Sequence, residues 1–167
     1  MTNSPAQPTG ATKPNGSNGP EEGRPTALPI SVLAQYLKDL SFENPRAPET
    51  LMAGQPAPEV AVHIDVKTSA PGEGVHEVAL TLRVEAKAGA DTVFLVEVTY
   101  AGLFQLSGIP PEHHGPVLLI EGPRLLFPFV RNIIADAIRN GGYPQLLINP
   151  IDFAELYRRQ QPQPSQQ

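Results

Sequence analysis

The side chains able to do chemistry are few and poorly grouped. His63 and Asp65 stand two residues apart in an alternating stretch, so a strand aims both at one face, and His113-His114 sit together in a Pro/Gly-rich turn. Imidazole and carboxylate groups can ligate a metal, but adjacent residues rarely converge on one ion, and neither pair has a third ligand placed near it. Solvated side chains are the simpler reading, and no metal is expected. No serine stands in a GxSxG setting that would present it as a nucleophile. No GxxxxGK[ST] motif occurs, and no Gly-rich loop leads from a strand into a helix, so ATP-driven work is not expected. The chain contains no cysteine, which removes disulfides and thiolate metal sites and fits a reducing compartment. No catalytic residue and no cofactor emerge.

The whole-chain balance points to a different kind of partner. Seventeen acidic residues against 12 basic ones give a formal charge of −5 over 167 residues, which argues against a nucleic-acid backbone as ligand and for a basic protein surface. The opening MTNSPAQPTGATKPNG lacks a basic stretch followed by an apolar run, and no segment reaches the roughly 20 apolar residues of a membrane span. The expectation is a cytoplasmic protein with no direct membrane insertion.

Residues 1–27 are rich in Pro, Gly, Ser, Thr and Asn and residues 161–167 in Gln and Pro; with little to bury, both read as disordered tails around a domain over 28–160. Within that domain the hydrophobic period changes once, from two to 3.6. In the first strand Tyr36, Leu40 and Phe42 fall on one side and Gln35, Asp39, Ser41 and Glu43 on the other, interrupted at Leu37-Lys38. The loop from Asn44 to Pro58 holds four prolines and must run extended over the surface. Val60, Val62, Ile64 and Val66 mark a second strand, and Val78, Leu80, Leu82 and Val84 a third, joined through a turn over Ser69–Gly74. A fourth strand covers Thr92–Ser107, with an unusually apolar outward face and Gly102 inviting a bulge or bend.

From Gly115 the pattern turns helical. Leu126, Phe129, Val130, Ile133, Ile134, Ala137 and Ile138 form one apolar stripe, Pro128 predicts a start or a kink, and Gly141-Gly142 a stop. Asn149 and Pro150 read as N-cap and first position of a short helix that carries Phe153, Leu156 and Tyr157 and ends near Arg159. The fold class is therefore α+β: a four-stranded antiparallel sheet, with a crossover loop after strand 1, packed against a long helix and a short C-terminal helix.

Several stretches carry a family resemblance. They are Tyr36-Leu-Lys-Asp-Leu-Ser-Phe-Glu-Asn-Pro45, Pro58-Glu-Val, Phe94-Leu-Val-Glu-Val98, Gly102-Leu-Phe, Leu126-Phe-Pro-Phe129 followed by Arg131, and Tyr143 through Tyr157. In order over about residues 30–160, they resemble the SecB family of protein-export chaperones. The resemblance implies a homotetramer, a dimer of dimers, that holds unfolded preproteins without ATP and delivers them to the SecA motor ATPase. It places SecA binding on the exposed sheet face at Asp39, Glu43, Leu95 and Glu97. It places a client groove near Leu51 and Met52 in the crossover loop, Phe127 and Phe129 on the long helix, and Phe153, Leu156 and Tyr157 on the last. For the phenylalanines on the long helix, packing between helix and sheet is the rival explanation. The loop also lacks the aromatic residues that many members carry there. Two other readings stay open: an acyl-thioester enzyme of the hot-dog type, and an adaptor that docks one partner through the acidic sheet.

Overall fold

The computed structural model describes residues 29–161. The tail expected over 1–27, and all but the first residue of the one expected over 161–167, lie outside the described residues. Four strands come first, β1 (Ile30–Glu43), β2 (Glu59–Gly72), β3 (Val75–Ala88) and β4 (Asp91–Leu106), and two helices follow, α1 (His114–Asn140) and α2 (Phe153–Gln160). The sheet order is β1-β4-β3-β2 with every pairing antiparallel. Tight turns fold β2, β3 and β4 back on one another, with Gly74 and Gly89 at φ 67 and 63, where a side chain would be strained. The crossover loop carries the chain from β1 on one edge to β2 on the other. All four strands precede α1, so the element order is not that of the hot-dog fold, which sets its long helix among the strands.

Alternation decides what each strand gives to the helix. Val78, Leu80, Leu82 and Val84 of β3 and Val96, Val98 and Phe104 of β4 meet Leu126, Val130, Ile134 and Ile138 of α1, and all are fully buried. Each such side chain contributes about 1.5–3 kcal/mol relative to exposure. The helix approaches β3 so closely at Gly122 that an added Cβ would stand 2.8 Å from a Val78 methyl. Gly142, at φ 90, ends the helix as expected.

Four local expectations need correction. The interruption at Leu37-Lys38 is a β-bulge: Leu37 pairs with Tyr100 and Asp39 with Thr99, leaving Lys38 extra. A bulge reverses parity, so Tyr36 lies with Asp39, Ser41 and Glu43 on the outer face, and Gln35 joins Leu40 and Phe42 on the helix side. Gly102 is not bulged; it pairs in register with Gln35 and Val78. Its missing side chain makes room for the Phe104 ring, 2.8 Å from where a Cβ would stand. Pro128 does not start α1, which is a single helix of 27 residues with both Pro123 and Pro128 inside. Each internal proline costs about 3 kcal/mol, and the stripe buried against the sheet offsets it. Finally, α2 opens three residues later than Asn149 implies: the cap is Asp152, whose carboxylate accepts from the Glu155 N–H at 2.9 Å.

Candidate functional site

The sheet has one face covered by α1 and one left open, and the open face is set by register. Asp39 lies opposite Thr99, Ser41 opposite Glu97 and Glu43 opposite Leu95. Asp39, Glu43, Leu95 and Glu97 thus share the outer face of two adjacent strands. Asp39 and Glu43 are exposed, and Leu95 and Glu97 half-buried. Among the described residues no ion pair engages Asp39 or Glu43. Glu97 has a cation beside it, Arg83 of β3, at 3.6 Å. Such a half-exposed pair is worth little and can be exchanged for a partner's cation. Arg83 in turn faces His63 across β2, and Thr81 and Thr99 share a hydroxyl hydrogen bond of 2.9 Å in the next row. The next rows of this face carry small side chains, Thr81 with Thr99 and Ala79 with Ala101.

At one end of the same face Tyr36 donates a short hydrogen bond to Glu77, and Lys38, the bulge residue, pairs with the other Glu77 oxygen at 2.9 Å. The bond to Glu77, then partial burial, push the Tyr36 phenol up to about 12 from 10.0. Glu77 is held below the ordinary carboxylate range, chiefly by the Tyr36 hydroxyl and then by Lys38. The raised phenol contributes stability in full below pH 10 and loses it as pH climbs toward 12. The lowered carboxylate contributes above its unfolded value of 4.5 and loses it as pH falls. Glu77→Gln is therefore expected to lower the thermal midpoint near pH 7 and to reduce its further fall at about pH 3. Melting curves of wild type and variant that stay parallel across that range would rule the linkage out.

On the other side, the crossover loop forms a strap. Its 3-10 turn, Glu49–Leu51, sits against the stretch after α1: Leu51 methyls lie 3.1 Å from where a Gly142 Cβ would be. Arg46 pairs with Asp91, the first residue of β4, and with Glu49 at 2.8 Å. Beneath the strap is a hollow of about 380 Å³ lined by Arg46, Thr50, Met52, Pro56, Val93 and Tyr143 among others. Met52 is 65% exposed and has no fixed packing role.

The seven groove candidates do not converge on this hollow. Met52 lines it, and Leu51 is on the strap but turned to Gly142. Phe127 and Phe153 meet edge-to-face at 6.0 Å inside the core, 7% and 1% exposed, so they support the domain rather than offer a surface. Leu156 packs half-buried on that core, and Tyr157 is half-buried beside it on α2. Phe129 is 47% exposed and stacks on Tyr100 at 5.7 Å, on the β1 side of α1. Leu125 of α1 and Val32, Leu33, Leu37 and Leu40 of β1 are also exposed, and Leu125 and Val32 line one common hollow. Sequence reasoning missed Thr50, Arg46 and Tyr143, whose only signal was a Tyr-Pro pair directly after the Gly-Gly stop.

Among the described residues no three metal-ligating side chains come together. His63 and Asp65 lie on the outer face, and His114 bonds the Ile109 carbonyl at 2.9 Å with its ring against His76. No described helix is long and apolar enough to cross a membrane.

Comparison with known proteins agrees with this architecture. Residues 24–164 match the family described as preprotein translocase subunit SecB. The protein-export protein SecB of Rhodospirillum centenum is 50% identical over 156 residues, covering 91% of this chain and 92% of the relative. That of Maricaulis maris is 50% identical over 144 residues, covering 86% and 84%. A Mycobacterium tuberculosis SecB-like chaperone, solved in complex with a ChAD peptide from an antitoxin, superposes with a TM-score of 0.60 at 15% identity, over 73% of this chain and 90% of that one, and shows the shared fold. A family match from residue 24 to 164, which spans the whole described domain, together with identity near one half over most of these relatives, makes this chain a member of the SecB family of protein-export chaperones.

Proposed function

We propose that this chain is an ATP-independent holdase of the cytoplasm, which captures unfolded preproteins and delivers them to the SecA motor. SecB proteins are chaperones rather than enzymes, and the fold supplies two surfaces suited to the two tasks. The observation that carries the reading is their separation. An acidic face lies open on one side of the sheet, and an apolar hollow with a proline-rich strap lies at the edge of the other. The hollow suits client capture because an unfolded chain is recognised through apolar side chains and free backbone, which need adaptable surface rather than a rigid pocket. The acidic face suits a basic docking segment on SecA. The adaptor reading leaves the strap and its hollow without a use.

The exposed apolar flank of β1 and α1 supports assembly. Val32, Leu33, Leu37, Leu40, Leu125 and Phe129 place more apolar surface together than a lone domain of this size needs to expose. Burial against further copies accounts for it and builds the tetramer. Several weak grips on one tetramer then add through effective concentration, giving tight but reversible capture.

Native mass measurement tests this directly. The expected species are a tetramer, a tetramer with one unfolded client, and a tetramer with SecA; a monomer that ignores both ligands would overturn the proposal. Within it, Met52→Asp is expected to weaken capture roughly tenfold, since it replaces an apolar contact by a charge to be desolvated. Suppression of aggregation of several unrelated unfolded proteins, titrated against wild type, measures that loss.

A further inference from the structure

One hydroxyl joins the strap to the rest of the domain at two points. Tyr143 follows the Gly141-Gly142 stop, and its ring is fixed against Phe94, centroids 4.9 Å apart, with Phe94 itself stacked on Phe42. Its oxygen lies 2.7 Å from the Asn44 side-chain carbonyl and 2.7 Å from Thr50 Oγ1, with the Val93 carbonyl at 3.5 Å. A phenol has one hydrogen to give. Asn44 Oδ1 can only accept, so Tyr143 donates to it and Thr50 donates to Tyr143. The Asn44 amide then donates to the Gly141 carbonyl at 3.1 Å. One oxygen therefore ties both the first residue of the strap and its 3-10 turn to the chain that leaves α1. Besides these bonds the strap is held by Leu51 packing against Gly142 and by Arg46 pairing with Asp91, and the second of these joins exposed side chains and adds little.

The same tyrosine lines the hollow. We infer that Tyr143 is a positioning residue, a latch that holds the strap over the hollow and sets how fast a client chain enters. The inference rests on the client-holding reading of the hollow. A polypeptide has no free end at the segment to be gripped, so it reaches the space beneath the strap by lateral entry, which requires Thr50 and Met52 to lift. Lifting breaks the Thr50–Tyr143 bond first, while the ring, half-buried and packed on Phe94, keeps the floor in place. Capture and release both pass through this opening, so the latch governs their rates more than the affinity.

Tyr143→Phe keeps the ring and removes both bonds. Amide hydrogen exchange over residues 44–52 of the full chain is expected to quicken about five- to tenfold, the net worth of one to two neutral hydrogen bonds, with the β3 and β4 amides unchanged. The on-rate for a labelled, reduced and carboxymethylated α-lactalbumin is expected to rise by a similar factor, with a matching rise in off-rate. Thr50→Val, which spares the Asn44 bond and the core, should give the same effects at smaller size. Unchanged exchange over 44–52 in both variants overturns the latch, and faster exchange with unchanged on-rate overturns its control of entry. A wild-type protein that captures no client overturns the reading of the hollow instead, and the exchange data then still decide the latch.

Discussion

Reversing charge at Asp39 and Glu97 together, as Asp39→Lys with Glu97→Lys, is expected to abolish SecA binding while leaving capture of unfolded clients intact. Register is the reason for choosing this pair. The two carboxylates sit in neighbouring rows of β1 and β4 on one open face, so a single docked segment spans both. Asp39 is exposed and engages no described cation, which leaves it ready for a basic partner. Glu97 already touches Arg83, and a lysine in its place sets two cations side by side, so reversal adds repulsion to the loss of attraction. A charge-assisted contact is worth about 1.5–3 kcal/mol, and losing two of them weakens binding more than about a hundredfold before repulsion is counted. The strap hollow lies on the far side of the sheet and keeps its lining. Calorimetric titration with SecA, beside an aggregation assay with an unfolded client, separates the two effects. Unchanged SecA affinity would sink the assignment, and lost client capture would show that the two faces are not independent. The wild-type affinity should also fall steeply with added salt, as expected for exposed charges within a Debye length of each other.

The acidic face was readable from sequence because parity within a strand needs only a period of two. The claim that Asp39 and Glu43 share a side with Leu95 and Glu97 needed cross-strand register as well, and the structure supplies it. Tyr36 shows where parity fails: one inserted residue, Lys38, reverses the stretch before it back to a second shift between Val32 and Ala34, and a bulge leaves only a broken alternation as its trace. Pro128 misled for another reason, because the local penalty of a proline in a helix was outweighed by burial along the whole stripe, a term set by the sheet beneath. Around the strap the difficulty is distance in the chain. The Tyr143 bonds reach back 99 and 93 residues, and nothing local marks such a contact. The groove candidates illustrate a third limit. A phenylalanine that fills the core and one that grips a client give the same sequence signal, and only the packing separates Phe127 and Phe153 from the exposed Phe129.

Packing also sets the second large effect, at the junction of the sheet with α1. Phe104 is fully buried, and its ring lies over Gly102, two residues back on the same face, with a Leu126 methyl closing the third side. Phe104→Ala is expected to cost about 3–5 kcal/mol, because it removes the largest side chain at this contact and leaves a void that the paired strands on either side cannot collapse into. Gly102→Ala is expected to cost about 1–3 kcal/mol for the opposite reason, since its new Cβ would stand 2.8 Å from the Phe104 ring. The two costs share one volume, so they must not add. In a chain that already carries Phe104→Ala the ring is gone, the Leu126 methyl at 3.1 Å can give way into the void, and Gly102→Ala fills part of that void while removing backbone freedom from the unfolded state, worth about 0.4–1 kcal/mol. The same substitution should therefore change sign, destabilising the wild type and stabilising the variant. Urea unfolding of the four proteins at one fixed concentration, which holds any assembly term constant, measures the cycle. Additive costs would mean that Gly102 is needed for its backbone and not for the space it leaves to Phe104.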